Sequence, residues 1–593
     1  MTYPTLRDFV DALDAAGELH RVTAPVSSML EVTEIADRVS KSPAAHRSDH
    51  ASAFDPLHHH LGGRALLFEN VQTPQGRAAF SLLINAFGSY RRMEMAMGCL
   101  DSGFDGLAER VASLVKPEPP ASLMDKIKKG VELAKVAGQA PPKVVKSGVC
   151  QEVVKIGDEV NLYDLPIIKC WPDDGDPRTC GYGLSPEASG TAAGQGRYIT
   201  LAGMYTIHPD DAGKPDGEPR PSRNVGMYRA QLIDAKRTAM HWHMHHDGAS
   251  HWRAWKKHHA SAGDHGPGMP LAIVLGGESV LPYAATAPLP PGISELMFAG
   301  FLNRSSIKLV KCKTIDLHVP ANAEIVIEGY VSTEAGPIGY DPRPRYGQAP
   351  PELGPGAVFE GPFGDHTGFY SLPDRYPVFT VTAVTHRGPV SPKKSGAASG
   401  EGAAAKEHSP REGAIYPTTI VGRPPQEDYY LGKATERVFL PLLKTLIPDI
   451  LDYDLPMFGC FHNCAFVKIK KEYPLQARRV MHAIWGAGQM AWTKAIVVVD
   501  HDVNVHDHEE VLFQLLANAD PGRDIEMVNG PLDILDHAAP RLGAGTKIGL
   551  DATRKIPGEE VHGHPVRDWP TLLNMSDDIK RRVDERWAEY GLS

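Results

Sequence analysis

The sequence has little of what marks secreted, membrane-spanning or nucleic-acid-binding proteins. Seven scattered cysteines in 593 residues do not form a disulfide framework, so we expect reduced thiols. No apolar run approaches the roughly 20 residues that cross a bilayer, which argues against an integral membrane segment. A formal charge of −10 leaves no basic surface for nucleic acid. Polar and acidic residues stand where a signal peptide would be apolar, and they predict a cytoplasmic location.

Common nucleotide-binding motifs are also missing. No G-x-G-x-x-G follows a predicted strand, and no G-x-x-x-x-G-K-[ST] loop occurs. The segment 543–547 has a related composition but the wrong spacing. The sequence therefore gives no support for a Rossmann or P-loop site.

What the chain does contain is a change of pattern along its length, which predicts several domains. Residues 1–150 are predicted as an N-terminal α/β domain with a His-rich, solvated inserted loop at about 44–63. Short strands separated by turn signals over 151–385 predict an antiparallel sheet or barrel. A mobile Gly/Ala/Ser-rich linker or insertion at 386–415 precedes a C-terminal α/β domain at 416–593, whose last helix has an apolar stripe suited to oligomerisation.

Hydrophobic periodicity and cap residues predict individual elements. Thr5 is predicted to cap a helix with an apolar face formed by Leu6, Phe9, Val10 and Leu13. In the central domain the predicted strands are 198–207, 226–233, 238–244, 307–319, 324–331 and 378–385. In the C-terminal domain the predictions are strands 465–469, 495–499 and 524–528 and helices 475–493 and 509–518.

The segment 360–370 places two carboxylates, Glu360 and Asp365, around a Gly/Pro corner among aromatic residues. Such a corner suits a tight loop that faces a ligand. A carboxyl packed against Phe363 would be driven towards its protonated form, while a partner beside a cation would stay ionised. Divergent pKa values would then assign an acid and a base. A solvated turn with two surface acids is the alternative.

Short motifs in a fixed order accompany this loop. They are Arg223-Asn-Val-Gly-Met-Tyr-Arg229-Ala-Gln231, His241-Trp-His-Met-His-His246-Asp-Gly248, Pro290-Pro-Gly-Ile-Ser-Glu295 and Gly422-Arg-Pro-Pro-Gln-Glu427. With the Glu360 loop they resemble the UbiD family of reversible decarboxylases, and the resemblance covers most of the chain. It implies an α+β multidomain fold whose central antiparallel split β-barrel, of flavin-reductase-like type, carries the cofactor site.

The resemblance implies prenylated FMN as cofactor, made by a separate flavin prenyltransferase. Removing CO₂ from an unsaturated acid leaves a carbanion that no side chain stabilises, so an electron sink is required. The residues implied to contact the cofactor are Asn224, Met227, Tyr228, Arg229, His241, Trp242, His243, His246, Asp247 and Glu295.

The family's metal ligands fall on Asn224, His245 and Glu295. Oxygen ligands with one imidazole suit Mn²⁺ or Mg²⁺, and K⁺ is a further candidate ion. His241 and His243 are predicted to alternate with His245 on one face of a strand, with His246 opposite, so the histidine ligand stays open among them. A zinc-binding histidine cluster over 241–246 is the rival interpretation.

The family's catalytic acid–arginine–acid set matches Arg229, Glu360 and Asp365. The resemblance makes Asp365 the proton donor and Glu360 the partner that fixes Arg229. A guanidinium presents a planar fork that can grip the substrate carboxylate. A surface salt bridge is the alternative role for Arg229.

The implied reaction is non-oxidative decarboxylation of an aromatic, hydroxylated acid, with CO₂ as product. A polyprenyl hydroxybenzoate of ubiquinone or menaquinone biosynthesis is the leading substrate, which would add peripheral membrane contact. A small phenolic or other unsaturated acid is the first alternative, and a non-catalytic flavin-binding or scaffold protein is the second. The chain has histidines and Asp247 where relatives often have Arg-Trp-Leu and His-Arg-Gly, which leaves the phosphate contacts open. A homo-oligomer, dimer or hexamer, is expected.

Overall fold

The computed structural model describes residues 2–115, 138–181, 184–215, 217–243, 246–263, 266–289, 293–336, 353–389 and 413–592. Its strands are Leu19–Val22 (β1), Val26–Ser27 (β2), Ala65–Phe68 (β3), Val71–Thr73 (β4), Gly76–Arg77 (β5), Ser81–Ile84 (β6), Lys143–Val144 (β7), Val153–Ile156 (β8), Tyr198–Thr206 (β9), Asn224–Leu232 (β10), Arg237–Met240 (β11), Met269–Leu275 (β12), Lys308–Lys311 (β13), His318–Pro320 (β14), Ile325–Val331 (β15), Ala357–Glu360 (β16), Asp374–His386 (β17), Ile415–Pro417 (β18), Ile450–Asp454 (β19), Cys464–Ile469 (β20), Ala495–Val499 (β21), Ile525–Pro531 (β22) and Ala544–Asp551 (β23). Its helices are Leu6–Ala15 (α1), Glu31–Ser40 (α2), Tyr90–Met97 (α3), Gly103–Val115 (α4), Pro186–Ser189 (α5), Asp247–Ala262 (α6), Leu281–Ala284 (α7), Glu295–Asn303 (α8), Glu427–Leu446 (α9), Gln476–Trp485 (α10), His508–Asn518 (α11), Pro521–Asp524 (α12) and Asp577–Glu585 (α13).

The N-terminal sheet has the strand order β1-β3-β6-β18. The first helix, α1, begins where its cap predicts, because Thr5 Oγ1 accepts a 3.1 Å hydrogen bond from the Asp8 N–H. Its predicted apolar face is buried. The fourth strand, β18, follows the barrel in sequence and pairs in parallel with β6. Residues 390–412 of the predicted mobile segment lie outside the described residues.

The His-rich segment 44–63 differs from the solvated loop that its composition predicts. Asp55 is buried and accepts hydrogen bonds from the hydroxyls of Tyr90, at 2.6 Å, and Tyr429, at 2.8 Å. Phe54 packs into the core beside it. The segment is a surface loop that is anchored in the core at Phe54 and Asp55, because one carboxylate satisfies two buried phenols.

Six antiparallel strands form a closed barrel in the central region, as predicted, in the order β11-β10-β9-β12-β15-β17. Closure comes from β11 pairing with β17, with Thr238 opposite Phe379. The single strand predicted at 307–319 is instead the hairpin β13–β14. The turn forms because Glu328 accepts hydrogen bonds from the backbone N–H groups of Lys313 and Thr314.

The C-terminal sheet has the order β19-β20-β21-β23-β22, and β20, β21 and β23 pair in parallel. This is the predicted α/β arrangement. The helix predicted at 475–493 ends earlier, at Trp485, and a 3₁₀ segment Gly488–Trp492 follows. Gly486 and Gly488 lie at the break, where glycine disfavours a continuous helix.

The chain ends in a short helix, α13, whose residues are all at least partly exposed. Trp587 and Leu573 beside it are also exposed. In the part of the chain that the structure covers, no helix combines the length and hydropathy needed to cross a membrane.

Candidate active site

The predicted acid–arginine–acid set meets where the barrel strand β10 lies beside the end of β16 and the loop that follows it. Arg229 lies on β10 at a register shift between Tyr228 and Ala230, so it has no direct partner on β9. Glu360 is the last residue of β16, and Asp365 follows five residues later in the connecting loop. All three side chains are almost completely buried. The structure therefore brings together the three residues that the sequence selects.

The guanidinium of Arg229 is shared between both acids. Its Nε donates to Glu360 Oε1 at 2.8 Å and its Nη2 to Glu360 Oε2 at 3.1 Å, a bidentate pair. Its Nη1 donates to Asp365 Oδ2, and Nη2 also donates to Ser371 Oγ at 3.0 Å. The ring of Phe363 lies 4.5 Å from the guanidinium carbon. Glu360 and Ser371 thus hold Nε and Nη2 of the guanidinium, and Asp365 holds Nη1.

The pKa values of the two acids do not diverge as the sequence predicts. Burial alone would raise the pKa of Glu360, but the charges and hydrogen bonds of Arg229 and His241 bring it down to about 2. Burial opposes ionisation of Asp365 as well, and hydrogen bonding to His366 together with the charge of Arg229 lowers its pKa. The prediction of one protonated and one ionised acid is wrong, because a single arginine contacts both.

The loop that carries Asp365 is tied down by residues that sequence reasoning did not select. The Gly361 N–H donates to Gln231 Oε1 at 2.9 Å, and the Gly364 N–H donates to Asp174 Oδ1 at 2.8 Å. A Cβ on Gly364 would lie 2.0 Å from Trp171 Cδ1, so only glycine fits there. These contacts join segments far apart in sequence, which no local pattern signals.

The histidine segment after β11 is not the strand predicted for 238–244. The strand ends at Met240, and His241 turns to Glu360, placing Nδ1 2.8 Å from Oε2. His243 and His246, predicted on opposite faces, stack with ring centroids 4.8 Å apart. Burial lowers the pKa of His243 and keeps it neutral. The predicted alternation is not observed for His243 and His246, whose rings stack on one another.

Other predicted cofactor contacts lie near these rings. Tyr228 packs against His246, with centroids 5.1 Å apart, and edge-on against Trp242. Trp242 is fully buried, and its Nε1–H has no hydrogen-bond partner among the described residues. Asp247 begins α6, and Met227 is half-buried against the core. An unpartnered buried donor is a place where a bound group with an acceptor atom fits.

Asn224 and Glu295 converge at the start of β10. Glu295 Oε2 accepts from the Val225 N–H at 3.0 Å, and burial raises the pKa of Glu295 to about 7. No lysine or arginine of the described chain forms an ion pair with Glu295. A buried carboxylate with no cation of its own fits a metal ion. His245, the third predicted ligand, lies outside the described residues.

A small cavity adjoins this point and is lined by Arg220, Arg223 and Asn224. Guanidinium groups match the geometry of phosphate oxygens. Arg220 already pairs with Asp316 at 3.1 Å, so the fit to the implied cofactor and its ion rests on the uncompensated carboxylate of Glu295 and the unpartnered donor of Trp242.

Two residues of the C-terminal domain also reach the site, and the sequence did not point to them. His366 Nε2 lies 3.2 Å from His462 Nε2, which in turn lies 3.2 Å from Asp533 Oδ2. His366 Nδ1 contacts Asp365 Oδ1 at 3.0 Å. His366 directly follows Asp365 in the sequence, but its partners His462 and Asp533 lie roughly 100 residues or more away. No local motif therefore links the three residues.

Domain models of one family match three parts of the chain. The N-terminal domain of 3-octaprenyl-4-hydroxybenzoate carboxy-lyase matches residues 10–111, its Rift-related domain matches 143–391, and its C-terminal domain matches 429–552. The chain belongs to the UbiD family. UbiD proteins are carboxy-lyases, and this one is an enzyme of that class.

Similar sequences extend over the whole of this UbiD protein. An uncharacterized protein of Aquifex aeolicus is 41% identical over 590 residues, covering 100% of this chain and 99% of the relative. An uncharacterized protein of Archaeoglobus fulgidus is 39% identical, covering 99% of both chains.

Solved UbiD-class structures share the fold. The vanillic acid decarboxylase of Sedimentibacter hydroxybenzoicus, in closed form, superposes with a TM-score of 0.70 at 22% identity, covering 100% of each chain. The HmfF enzyme of Pelotomaculum thermopropionicum, solved in complex with FMN, gives 0.62 at 24% identity over 94% of this chain and 96% of that one. The 3,4-dihydroxybenzoic acid decarboxylase of Enterobacter cloacae gives 0.60 at 19% identity over 93% and 95%.

Proposed function

We propose that this UbiD protein is a prenylated-FMN-dependent, non-oxidative decarboxylase of a hydroxylated aromatic acid. The observation that carries the proposal is the buried Arg229–Glu360–Asp365 set, in which one guanidinium bonds both acids. The FMN and prFMN complexes of HmfF support the choice of cofactor. When bound, prenylated FMN supplies the electron sink that no side chain provides.

Each of the three residues has a separate task. Glu360 holds Arg229 through two hydrogen bonds and keeps its fork in one orientation. The substrate carboxylate takes the place of Asp365 at Nη1 of Arg229. Asp365 then loses a contact that lowers its pKa and can take up a proton. When CO₂ leaves, its bonding electron pair stays on the substrate carbon, and the proton moves from Asp365 to that carbon.

A divalent ion, Mn²⁺ or Mg²⁺ with K⁺ as a further candidate, is assigned to Asn224, Glu295 and His245. The buried and uncompensated carboxylate of Glu295 supports this assignment. The ion would neutralise both Glu295 and the cofactor phosphate.

Two kinds of hydroxylated aromatic acid are candidate substrates. A polyprenyl hydroxybenzoate of quinone biosynthesis remains the leading candidate, and a small phenolic acid is the alternative. Two of the structural neighbours act on small phenolic acids, vanillic and 3,4-dihydroxybenzoic acid, which favours keeping that alternative. The intact catalytic set argues against a non-catalytic flavin carrier.

A cytoplasmic homo-oligomer supplied with cofactor by a flavin prenyltransferase completes the proposal. The exposed apolar residues around α13 support self-association, because large apolar side chains at a chain end are usually covered by another surface. Sedimentation of the full chain, with and without residues after 570, measures this directly.

The deciding experiment is co-expression with a flavin prenyltransferase, followed by measurement of CO₂ release from polyprenylated and small aromatic acids. We expect activity only with the prenyltransferase, and prenylated FMN in the mass spectrum of the active protein. Full activity with FMN alone would contradict the cofactor assignment. Release from only the small acids would exclude the quinone precursor and leave the reaction class intact.

A further inference from the structure

A second group of convergent ligands lies directly behind the proposed proton donor. His366 follows Asp365 in the catalytic loop, His462 lies just before β20, and Asp533 follows β22. Their three ligand atoms lie within 4.8 Å of one another. Asp533 is buried, and the two imidazoles are partly exposed. Three distant segments thus place two nitrogens and one oxygen around a common point.

Hydrogen bonding satisfies this arrangement only if one proton on His462 Nε2 is shared between two acceptors. His462 Nε2 lies 3.2 Å from both His366 Nε2 and Asp533 Oδ2. If His462 Nε2 carries a proton, it can serve Asp533, but it then meets His366 Nε2 without accepting from it. If it carries none, it can accept from His366 and faces the carboxylate with a lone pair. One nitrogen cannot both donate to Asp533 and accept from His366.

A cation at the common point satisfies all three atoms at once. Zinc bonds to imidazole nitrogen and carboxylate oxygen at about 2.0–2.2 Å, which in tetrahedral geometry separates the ligand atoms by about 3.3 Å. Two of the three separations, each 3.2 Å, match that value, and the third is within 4.8 Å. Two imidazoles and one carboxylate also suit zinc better than Mg²⁺ or Ca²⁺.

The surroundings show the features of a metal site. His366 Nδ1 lies 3.0 Å from Asp365 Oδ1, and a metal-bound histidine commonly donates its other N–H to a carboxylate. Asp533 Oδ1 accepts from the Leu535 N–H at 2.7 Å, which leaves Oδ2 for the ion. Among the described residues, no lysine or arginine forms an ion pair with Asp533.

The other acid–histidine group of the described chain shows what such a cluster looks like when it needs no metal. Glu436, Asp454 and His506 also converge. There the ammonium of Lys433 lies between the two carboxylates, 2.9 Å from Glu436 Oε2 and hydrogen-bonded to Asp454. That position is already taken by a side-chain cation.

We propose that His366, His462 and Asp533 bind a divalent transition-metal ion, with zinc as the best fit. Three protein ligands leave a fourth position for water or a substrate oxygen. The ion would join the catalytic loop to the C-terminal domain and fix His366, and through it the position of Asp365. This site is distinct from the Asn224, His245 and Glu295 set, and it does not depend on the identity of the substrate.

The test is zinc stoichiometry in full-length protein prepared without the prenyltransferase. Protein is stripped with chelator, dialysed against Zn²⁺ and analysed for metal content. We expect wild type to hold one more zinc per chain than His462→Ala or Asp533→Asn. His537→Ala is the matched control, because His537 is exposed, lies four residues after Asp533 and is not one of the three ligands. It should keep the wild-type zinc content.

Glu295→Gln separates the two sites, because it should lose ions from the cofactor site and keep the zinc of this one. Wild-type crystals soaked with Zn²⁺ give a test that needs no variant. We expect an anomalous peak between the three ligand atoms. Equal zinc content in wild type, His462→Ala and Asp533→Asn, or an anomalous map with no peak at this point, would overturn the proposal and leave a hydrogen-bonded chain only. Neither measurement uses turnover, so failure here would not affect the proposed decarboxylase.

Discussion

The Arg229 and Lys433 clusters use the same charges in two different ways. In each, one buried cation lies between two buried carboxylates, with histidine bonded to an acid. Arg229 lies between Glu360 and Asp365, and Lys433 lies between Glu436 and Asp454. His506 and His508 bond Asp454 at 3.0 and 2.9 Å. Charge pattern alone therefore does not distinguish a catalytic cluster from a structural one.

The difference lies in the segments that carry the acids. Glu436 is on α9 with Lys433, and Asp454 ends β19, so the whole cluster sits between a helix and a sheet. Asp365 is instead on a loop built around glycines, and its cation is an arginine whose planar fork can exchange one carboxylate for another of the same shape. The ammonium of Lys433 is instead a compact charge without a planar fork, and its partners Glu436 and Asp454 are on a helix and a strand. Under the proposed function, the acid on the loop, beside a guanidinium, is the one that the substrate carboxylate replaces.

The largest effect should come from the replaceable acid. Asp365→Asn should lower turnover by roughly 10²- to 10⁴-fold, the usual scale for a lost general acid. Binding of a substrate analogue should stay near normal, because Arg229 remains. Steady-state kinetics and equilibrium binding measure both quantities, and Arg229→Ala should impair both.

The matched change in the structural cluster is Glu436→Gln, which should leave turnover per folded molecule unchanged. Full activity in Asp365→Asn would move the proton-donor role to Glu360 or water. The proposed distinction between a catalytic Arg229 cluster and a structural Lys433 cluster would then have no support from Asp365.

Removing the structural cation should act on stability instead. Lys433→Met leaves Glu436 and Asp454 buried without their partner, and breaking a buried pair in this way costs about 3–5 kcal/mol. Denaturant unfolding monitored in the C-terminal domain measures the loss. Lys470→Met is the control: Lys470 is largely exposed, 3.6 Å from Glu472, and its loss should cost less than about 1 kcal/mol. Equal losses of unfolding free energy in the two variants would show that Lys433 stabilises the protein no more than an exposed lysine does.

His506 should make the stability of this cluster depend on pH. Burial would lower its pKa, but hydrogen bonds to Asp452 and Asp454 raise it to about 9. Because the folded-state pKa is above the unfolded value of about 6.5, the stabilisation is complete below pH 6.5 and is lost as pH rises through 9. At about 1.4 kcal/mol per pKa unit, the contribution is up to about 3 kcal/mol. Unfolding free energies measured across this range should fall in wild type and change less in His506→Gln; parallel profiles would exclude His506 as the source.

Glu295 extends the comparison to a buried acid with no side-chain cation among the described residues. Glu295→Gln should weaken retention of the divalent ion and of the flavin together, each by about tenfold or more, since the ion and the phosphate neutralise one another. Elemental analysis and flavin absorbance of the same sample report both. Unchanged metal content would remove Glu295 from the site. Glu436→Gln should leave both contents unchanged.

The sequence predicted the barrel and the catalytic set better than it predicted their surroundings. Strands such as β9 and β15 follow from short segments that are rich in β-branched and aromatic residues, which is a local property. Arg229, Glu360 and Asp365 were found through motif order. The end of β11 at Met240 was missed, and the contact of His241 with Glu360, across 119 residues, has no local signal in the sequence.

His462 and Asp533 were missed for the same reason. Each belongs to a loop at the edge of the C-terminal sheet, and neither has a spacing that marks it as a partner of His366. Tertiary contacts between loops leave no period in the sequence. The domain boundaries at 150, 385 and 415 stay predictions.

The parallel pairing of β18 with β6 has a consequence for synthesis on the ribosome. The N-terminal sheet lacks its fourth strand until residues 415–417 have emerged, so the barrel must be translated before the first sheet is complete. Until then β6 is an edge strand with unpaired backbone groups, the kind of edge that invites aggregation. The first 150 residues expressed alone would carry that exposed edge permanently. Residues 415–417 thus complete a sheet that begins almost 400 residues earlier in the chain.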